Sequence, residues 1–470
     1  MRGPGLGIIG TRDTAPVLTE ILMGNNLGAG SKPVTRRMRA LAAHGLGVIG
    51  RRASAPAVRA YCVYHLASAM ATADTTSSDL GVACALSIGL VRLEVIDEKQ
   101  GGEESAPSSS RQAQVGFLLE QFSRDDLSEI VRSYIPRAMA RLAVDVPDLR
   151  RDLVRTLSAR LAPSAKESQT VRFACILALG RIGNASLTTS DVEARKRLFN
   201  AAKEGQVQER GLALIALGQI AGRGGDDSEG RIPREMHAYL IGRVGASRST
   251  ERPWAALAVG LLEWGRSGNG QEVSQSGLKT LRDALTKVKN PDEAGSLCIA
   301  LGLAGDQSAT ELLIERASKG DESIRGQAIT ALGMLGALDA VPLLRFLALD
   351  GRHPSLAREA AIALGLMRDR QIRQELIPDA KLERFQSHQI TALLSLAYAG
   401  DALVIRDVGD ILLSKRSSET VRAYAAIALG IIADKDLEPW NHPIAADVNY
   451  WQGPSLLFDP ETGRGVVDLF

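Results

Sequence analysis

Residues 421–434 read VRAYAAIALGIIAD. Nearly the same words stand at 171–183 (VRFACILALGRIG), 209–222 (ERGLALIALGQIAG), 324–336 (IRGQAITALGMLG) and 357–369 (AREAAIALGLMRD). Taking the Gly of the Ala-Leu-Gly core as a marker, it falls at Gly7, Gly47, Gly89, Gly180, Gly218, Gly260, Gly302, Gly333, Gly365 and Gly430, with Ala397 in the same slot. The steps are 40, 42, 91, 38, 42, 42, 31, 32, 32 and 33 residues. A period of this length means stacked units, each burying the apolar side of the next. The jump of 91 residues predicts one degenerate unit around Ala138–Leu161 plus an insertion.

Each unit reads as two helices. In GALDAVPLLRFLALDG (336–351), Asp339 is expected to cap a helix and Pro342 sits in its first turn, where proline is tolerated. Val341, Leu344 and Leu347 give helical apolar spacing. After His353-Pro354, LAREAAIALGLM reads as a second helix, apolar on most sides and so buried between neighbours. The marker Gly lets the adjacent helix approach. A second Gly three residues on, as in ALGRIG and ALGMLG, suits the left-handed residue that ends a helix.

One polar feature keeps the same period. Arg39, Arg172, Arg210, Arg252, Arg325 and Arg422 each stand eight residues before a marker. Asp306, Asp369, Asp401 and Asp434 follow the marker helix. These are expected to form a structural ladder, each Arg reaching an Asp or a carbonyl of the next unit.

Units such as VRFACILALGRIG and GALDAVPLLRFLALDG resemble HEAT repeats, in particular the short HEAT-like repeats of phycobilisome bilin lyases. The ending PWNHPIAADVNYWQG (439–453) resembles the tail of a family of uncharacterised bacterial HEAT-repeat proteins. The resemblance implies an all-α solenoid of about 11–12 helix pairs over residues 1–436, an arc on the order of 100 Å long with a concave helical surface. It also implies that binding another protein is the commonest use of such a scaffold. A bilin-lyase-like or other HEAT-like enzyme is the alternative, with no catalytic residue to assign.

Composition sets further bounds. Net charge is +2, so no global field points to nucleic acid or membrane. No apolar run is long enough for a membrane helix, and MRGPGLGIIGTRD is too short and broken for a signal peptide. The chain as written is expected to be cytoplasmic. It opens in mid-unit, however, so the true start is expected upstream, where an export signal could lie. Cys62, Cys84, Cys175 and Cys298 contain no CxxC pair, and three of them sit inside the repeated apolar helix as buried thiols. HEAT-like di-iron hydroxylases use His-Glu pairs, but none of His44, His65, His237, His353, His388 and His442 is followed by Glu. No cofactor, metal or catalytic residue is therefore assigned.

Three departures from the repeat carry the remaining expectations. Residues 97–114, DEKQGGEESAPSSSRQAQ, read as a low-complexity loop inserted in the solenoid. Residues 437–470 lose the helical period and hold Trp440, Tyr450 and Trp451; they are expected to form an irregular, acidic cap. Residues 23–73 contain no acidic side chain, so Lys32, Arg36, Arg37, Arg51 and Arg52 form the candidate basic face for an acidic partner. Nucleic-acid binding through this segment is the weakest reading, because a duplex site needs basic residues along several repeats. The function expected is a protein-binding scaffold with an unidentified partner.

Overall fold

A computed structural model describes residues 12–25, 33–72, 78–96, 106–226, 230–246, 250–350, 352–382, 385–400 and 402–433. Among them lie 22 α-helices and no strand. The odd-numbered helices open the repeats: α1 (Ala15–Met23), α3 (Pro56–Ala71), α5 (Arg111–Ser123), α7 (Pro147–Arg160), α9 (Thr189–Glu204), α11 (Arg231–Ala246), α13 (Gln275–Lys287), α15 (Thr310–Ser318), α17 (Val341–Ala348), α19 (Ile372–Leu382) and α21 (Ile405–Leu413). The even-numbered helices close them: α2 (Arg36–Arg52), α4 (Ser78–Leu90), α6 (Glu129–Ala143), α8 (Gln169–Ile182), α10 (Val207–Arg223), α12 (Arg252–Gly268), α14 (Pro291–Leu303), α16 (Glu322–Leu335), α18 (Pro354–Leu366), α20 (Gln386–Ala399) and α22 (Glu419–Ala433). The eleven pairs are an α-solenoid. Contacts group them into two units, one built on Met1–Ile220 and the other on Glu229–Asn441.

Local chemistry starts and stops these helices. Ser128, Ser168 and Asn290 accept the backbone N–H three residues on, capping α6, α8 and α14. Pro147, Pro291 and Pro354 stand in first turns, where a missing N–H costs nothing. Asp339 does not cap α17. It lies inside a short 3-10 turn at Leu338–Ala340 that leads into the helix, and Pro342 follows in the first turn. Of the two expected left-handed glycines, Gly336 has φ of 63° and ends α16. Gly183 has φ of −69°; it is Gly because a Cβ there would lie 2.8 Å from the Leu179 carbonyl oxygen.

Within each unit, even helices stack on the next even helix and each odd helix flanks its own partner. The repeated Ala-Leu-Gly explains the stacking in atomic terms. A Cβ built on Gly302 would sit 2.9 Å from Cα of Ala331, and one on Gly333 would sit 2.6 Å from Cα of Ala363. Gly260 meets Ala300, Gly180 meets Ala216, and Gly47 meets Ser87 in the same way. In these five contacts the Gly of one repeat packs on the small residue two positions before the marker of the next, whereas Gly365 meets the backbone of Tyr398 and Ala399. That rule locates the degenerate unit: Gly89 packs on Ala138, so Ala138-Met139-Ala140 replaces Ala-Leu-Gly and Ala140 fills the marker slot in α6. Odd helices bury a single stripe, as Leu278, Leu281 and Leu285 do in α13.

The inserted segment is shorter than expected. Residues 97–105 lie outside the described residues, but Ser110 caps α5 and Arg111–Gln114 form its first turn. The expected cap at 437–470 lies outside the described residues as well.

Candidate partner-binding arginine cluster

The six periodic arginines share one contact. Arg39 donates to the Leu22 carbonyl at 2.7 Å, Arg172 to Leu161 at 3.2 Å, and Arg210 to Gly205 at 2.9 Å. Arg252 donates to Val244 at 3.2 Å, Arg325 to Ala317 at 3.1 Å, and Arg422 to Leu412 at 2.9 Å. Every acceptor lies at the C-terminal end of the odd helix of the same repeat. There the last carbonyls lack intrahelical partners and the helix dipole favours a cation. The first link is therefore made within a repeat, not to the next one as the sequence suggested. Among the described residues a second bond reaches the next repeat from Arg172, to Glu209 at 3.0 Å, and from Arg252, to Glu293 at 2.7 Å. Their acceptors are first-turn glutamates, not the aspartates that follow the marker. Asp306 instead takes Arg282, and Asp369 takes both bonds of Arg345 at 2.6 and 2.8 Å. Asp401 and Asp434 lie outside the described residues.

Two further members were missed in the sequence. Arg132 stands eight residues before Ala140, donates to the Phe122 carbonyl at 3.1 Å and pairs with Glu167 at 3.1 Å. Gln389, eight before Ala397, donates to the Ala380 carbonyl at 3.5 Å. Arg132 was hidden because its marker is an alanine.

The basic face divides. Lys32 lies outside the described residues. Arg36 and Arg37 are exposed in the first turn of α2, while Arg51 and Arg52 are exposed in its last turn. At 1.5 Å per residue those two pairs lie about 22 Å apart, so the fold does not join them. Arg51 belongs to a different group, assembled by the stacking of four repeats. It comes within electrostatic range of Arg141, near the end of α6, together with Arg92 (just past α4), Arg137 (α6) and Arg181 (end of α8).

Arg141 is only 3% exposed. Burial first, then the like charges of Arg137, Arg181, Arg51 and Arg92, push its guanidinium down to about 8. A guanidinium keeps its proton in a protein; the shift reflects burial above all, with the surrounding positive charges adding to it. Arg92 donates to the Arg141 carbonyl at 3.2 Å and lies 3.6 Å from Asp145. Asp145 is already engaged: Arg111 donates to both its carboxylate oxygens at 3.0 Å. Arg181 is half-buried, and among the described residues its guanidinium has no hydrogen bond or ion pair. Burial and the charge of Arg92 lower its pKa too.

Other titratable groups are spent on structure. Burial drops His44 to about 4, so it is neutral at pH 7. His65 packs against Tyr61 at a tilt and against Tyr64 edge-on, and His388 packs edge-on against Phe385. His237 and Glu263, which nothing in the sequence pairs, meet at 2.9 Å; Glu263 is fully buried and also accepts the Ser274 N–H at 2.9 Å. All four cysteines are buried, and burial raises each thiol to about 12. Among the described residues no three His, Cys, Asp or Glu side chains converge as metal ligands, and no helix is long and apolar enough to cross a membrane.

Residues 278–365 match the family model described as HEAT repeats. No curated protein sequence matches. Among solved structures the chain is similar to Kap121p, with 13% identity and a TM-score of 0.42, covering 89% of this chain and 47% of that one. It thus spans about half the length of Kap121p. An engineered protein matches with 17% identity and a TM-score of 0.33, covering 88% of this chain and 98% of that one. Human deoxyhypusine hydroxylase in complex with glycerol matches with 18% identity and a TM-score of 0.28, covering 62% and 96%. Residues 278–365 are thus similar to HEAT repeats, and the helices of the chain stack as an α-solenoid.

Proposed function

We propose that this chain is a scaffold that binds an acidic protein partner across the helix ends of its first unit. One observation carries the reading: Arg51, Arg92, Arg137, Arg141 and Arg181, from four successive repeats, act on one spot. The periodic arginines are consumed by helix-end carbonyls, whereas Arg181 has no such use among the described residues. A surface assembled from several repeats suits a partner that lies across them and is held by many modest contacts. The bilin-lyase-like alternative rests on resemblance of the scaffold, and among the described residues no arrangement of side chains favours it.

The test is cross-linked affinity capture from source cells, read by mass spectrometry, with the wild type and an Arg92→Glu/Arg181→Glu variant side by side. The expected result is one dominant acidic protein, captured near one-to-one, retained less as salt rises and lost from the variant. A partner held equally by both chains, or a capture with no enriched protein, would overturn the proposal.

A further inference from the structure

The last described repeat, α21 with α22, exposes a surface that the earlier repeats of the second unit bury. We propose that residues 437–470 fold back over this surface and close the stack. The proposal is independent of the partner reading, which concerns the first unit.

The surface is defined by the repeat itself. Four residues before the marker, Ala256, Cys298, Ile329, Ala361 and Leu393 are each fully buried. Ala426 holds that position in α22 and is exposed. Ile427 beside it is 49% exposed, whereas Leu257 and Ile299 at the equivalent position are buried. Gly302, Gly333 and Gly365 each meet the backbone of the next even helix, and Gly430 has nothing within 4 Å among the described residues. The flanking helix agrees. Lys381 of α19 pairs with Asp407 at 2.6 Å and lies 4.0 Å from Asp410, so that side of α21 faces back into the stack. At about 3.6 residues per turn, Ile405 and Leu412 stand on the opposite side. Ile405 is 42% exposed, and Gly409 between them has nothing within 4 Å among the described residues. Large apolar side chains of both helices therefore face outward beside Ala423, Ala426 and Gly430. A solenoid end of this kind needs a cover, and burying these side chains drives its attachment.

Three observations name the cover. The first is reach. Trp440 follows seven residues after Ala433, the end of α22. Seven extended residues span about 23 Å, more than twice the length of helix from Ala423 to Gly430. A segment tethered there meets the surface at high effective concentration. The second is composition. Trp440, Leu456, Leu457 and Phe458 gain from burial, while Pro439, Pro443, Pro454 and Pro460 and the lack of an Ala-Leu-Gly core keep the segment from adding a repeat. The third is charge. Residues 437–470 hold five acidic side chains and one basic one. Where α21 turns into α22, Lys415, Arg416 and Arg422 are exposed against a single acid, Glu419. Opposite charges favour the fold-back. A second copy fits less well. The residue that would enter beside Gly430, two before the marker of α2, is Gly45, and it is already buried. An irregular chain covers the surface without the backbone contact that a repeat makes, so Gly430 keeps room for a Cβ.

The test uses the full chain with p-benzoylphenylalanine in place of Ala423, irradiated in dilute solution and digested for mass spectrometry. The expected product is a cross-link within one chain, from position 423 to a peptide between 437 and 470. Trp440→Ser/Phe458→Ser should remove most of it. Hydrogen exchange gives a second readout without the bulky probe. Ile427→Glu should speed exchange in α22 about fivefold or more, because an uncovered α22 is held by α20 and α21 alone on its other sides. The tail variant should do the same, and the two combined should do no more than either. Leu338→Glu, at an exposed apolar residue ahead of α17, is the control that leaves α22 unchanged.

A cross-link between two chains would give the surface to a second copy and overturn the proposal. Exchange in α22 that neither Ile427→Glu nor the tail variant alters would mean that the surface stands uncovered. Additive effects of the two would place Trp440 and Phe458 elsewhere, and the proposal would fall.

Discussion

Asp191 shows what a single side chain does in this stack. It is 1% exposed and opens α9, where a negative charge suits the helix dipole. Arg150 of α7 donates to both its oxygens, at 3.1 and 2.9 Å; Ser186, Thr188 and the Asn184 N–H donate at 2.6, 2.7 and 3.0 Å. Burial alone would raise its pKa. The Arg150 fork and the three other donors outweigh burial and hold the carboxyl down from 3.8 to about 2. Because the folded value lies below the unfolded one, the unfolded chain takes the proton first as pH falls. The stabilisation is therefore complete above about pH 4 and lost as pH drops through 2. A shift of this size corresponds to about 2 kcal/mol. Asp191→Asn should lose about that much at pH 7, read as a lower urea midpoint, and the gap to wild type should narrow towards pH 2. A gap that stays constant from pH 7 to pH 2 would mean that the charge of Asp191 contributes nothing and that only its packing matters.

At the scale of the element, the marker glycine makes the stacking possible, and its effect depends on what faces it. Gly333 in α16 has Cα of Ala363 in α18 where a Cβ would go, at 2.6 Å. Two backbones would have to part, so Gly333→Ala should cost about 1–3 kcal/mol as overpacking. Gly430 in α22 is exposed and has nothing within 4 Å among the described residues. There the same change only removes a poor helix former, so Gly430→Ala should gain up to about 1 kcal/mol. Urea midpoints of the two variants should move in opposite directions; movement in the same direction would show that the glycines are not set by helix approach. This is also where the sequence was most readable. Gly302, Gly333 and Ala331 recur at fixed spacing because one contact recurs, and a period survives many substitutions. It failed where chemistry substitutes without repeating: Ala140 for Gly hid a marker and with it Arg132. The arginine cluster was unreadable for a related reason. Arg51 stands four residues past its marker, Arg92 three, and Arg141 and Arg181 one. No common offset joins them, and only stacking brings them within range. The His237–Glu263 pair likewise joins two helices at positions that no motif links.

At the scale of the whole molecule, most apolar residues are spent on making each repeat the neighbour of the next. Such a stack has a mechanical consequence. Within the second unit, α16 touches α14 and α18, and α18 touches α20, while α22 packs on α20. The strongest route from a defect at Gly333 to α22 runs through α18 and α20 in turn. When stability is a sum of repeat terms and nearest-neighbour interfaces, damage stays near its origin. Hydrogen exchange read by mass spectrometry on Gly333→Ala should therefore show faster exchange in α14, α16 and α18. Exchange in α22 should match the wild type, because its opening does not require the strained interface to break. Uniform acceleration from α14 to α22 would mean that these repeats open as one block. The nearest-neighbour description would then fail, and with it the expectation that a partner's contacts at one group of repeats are felt mainly there.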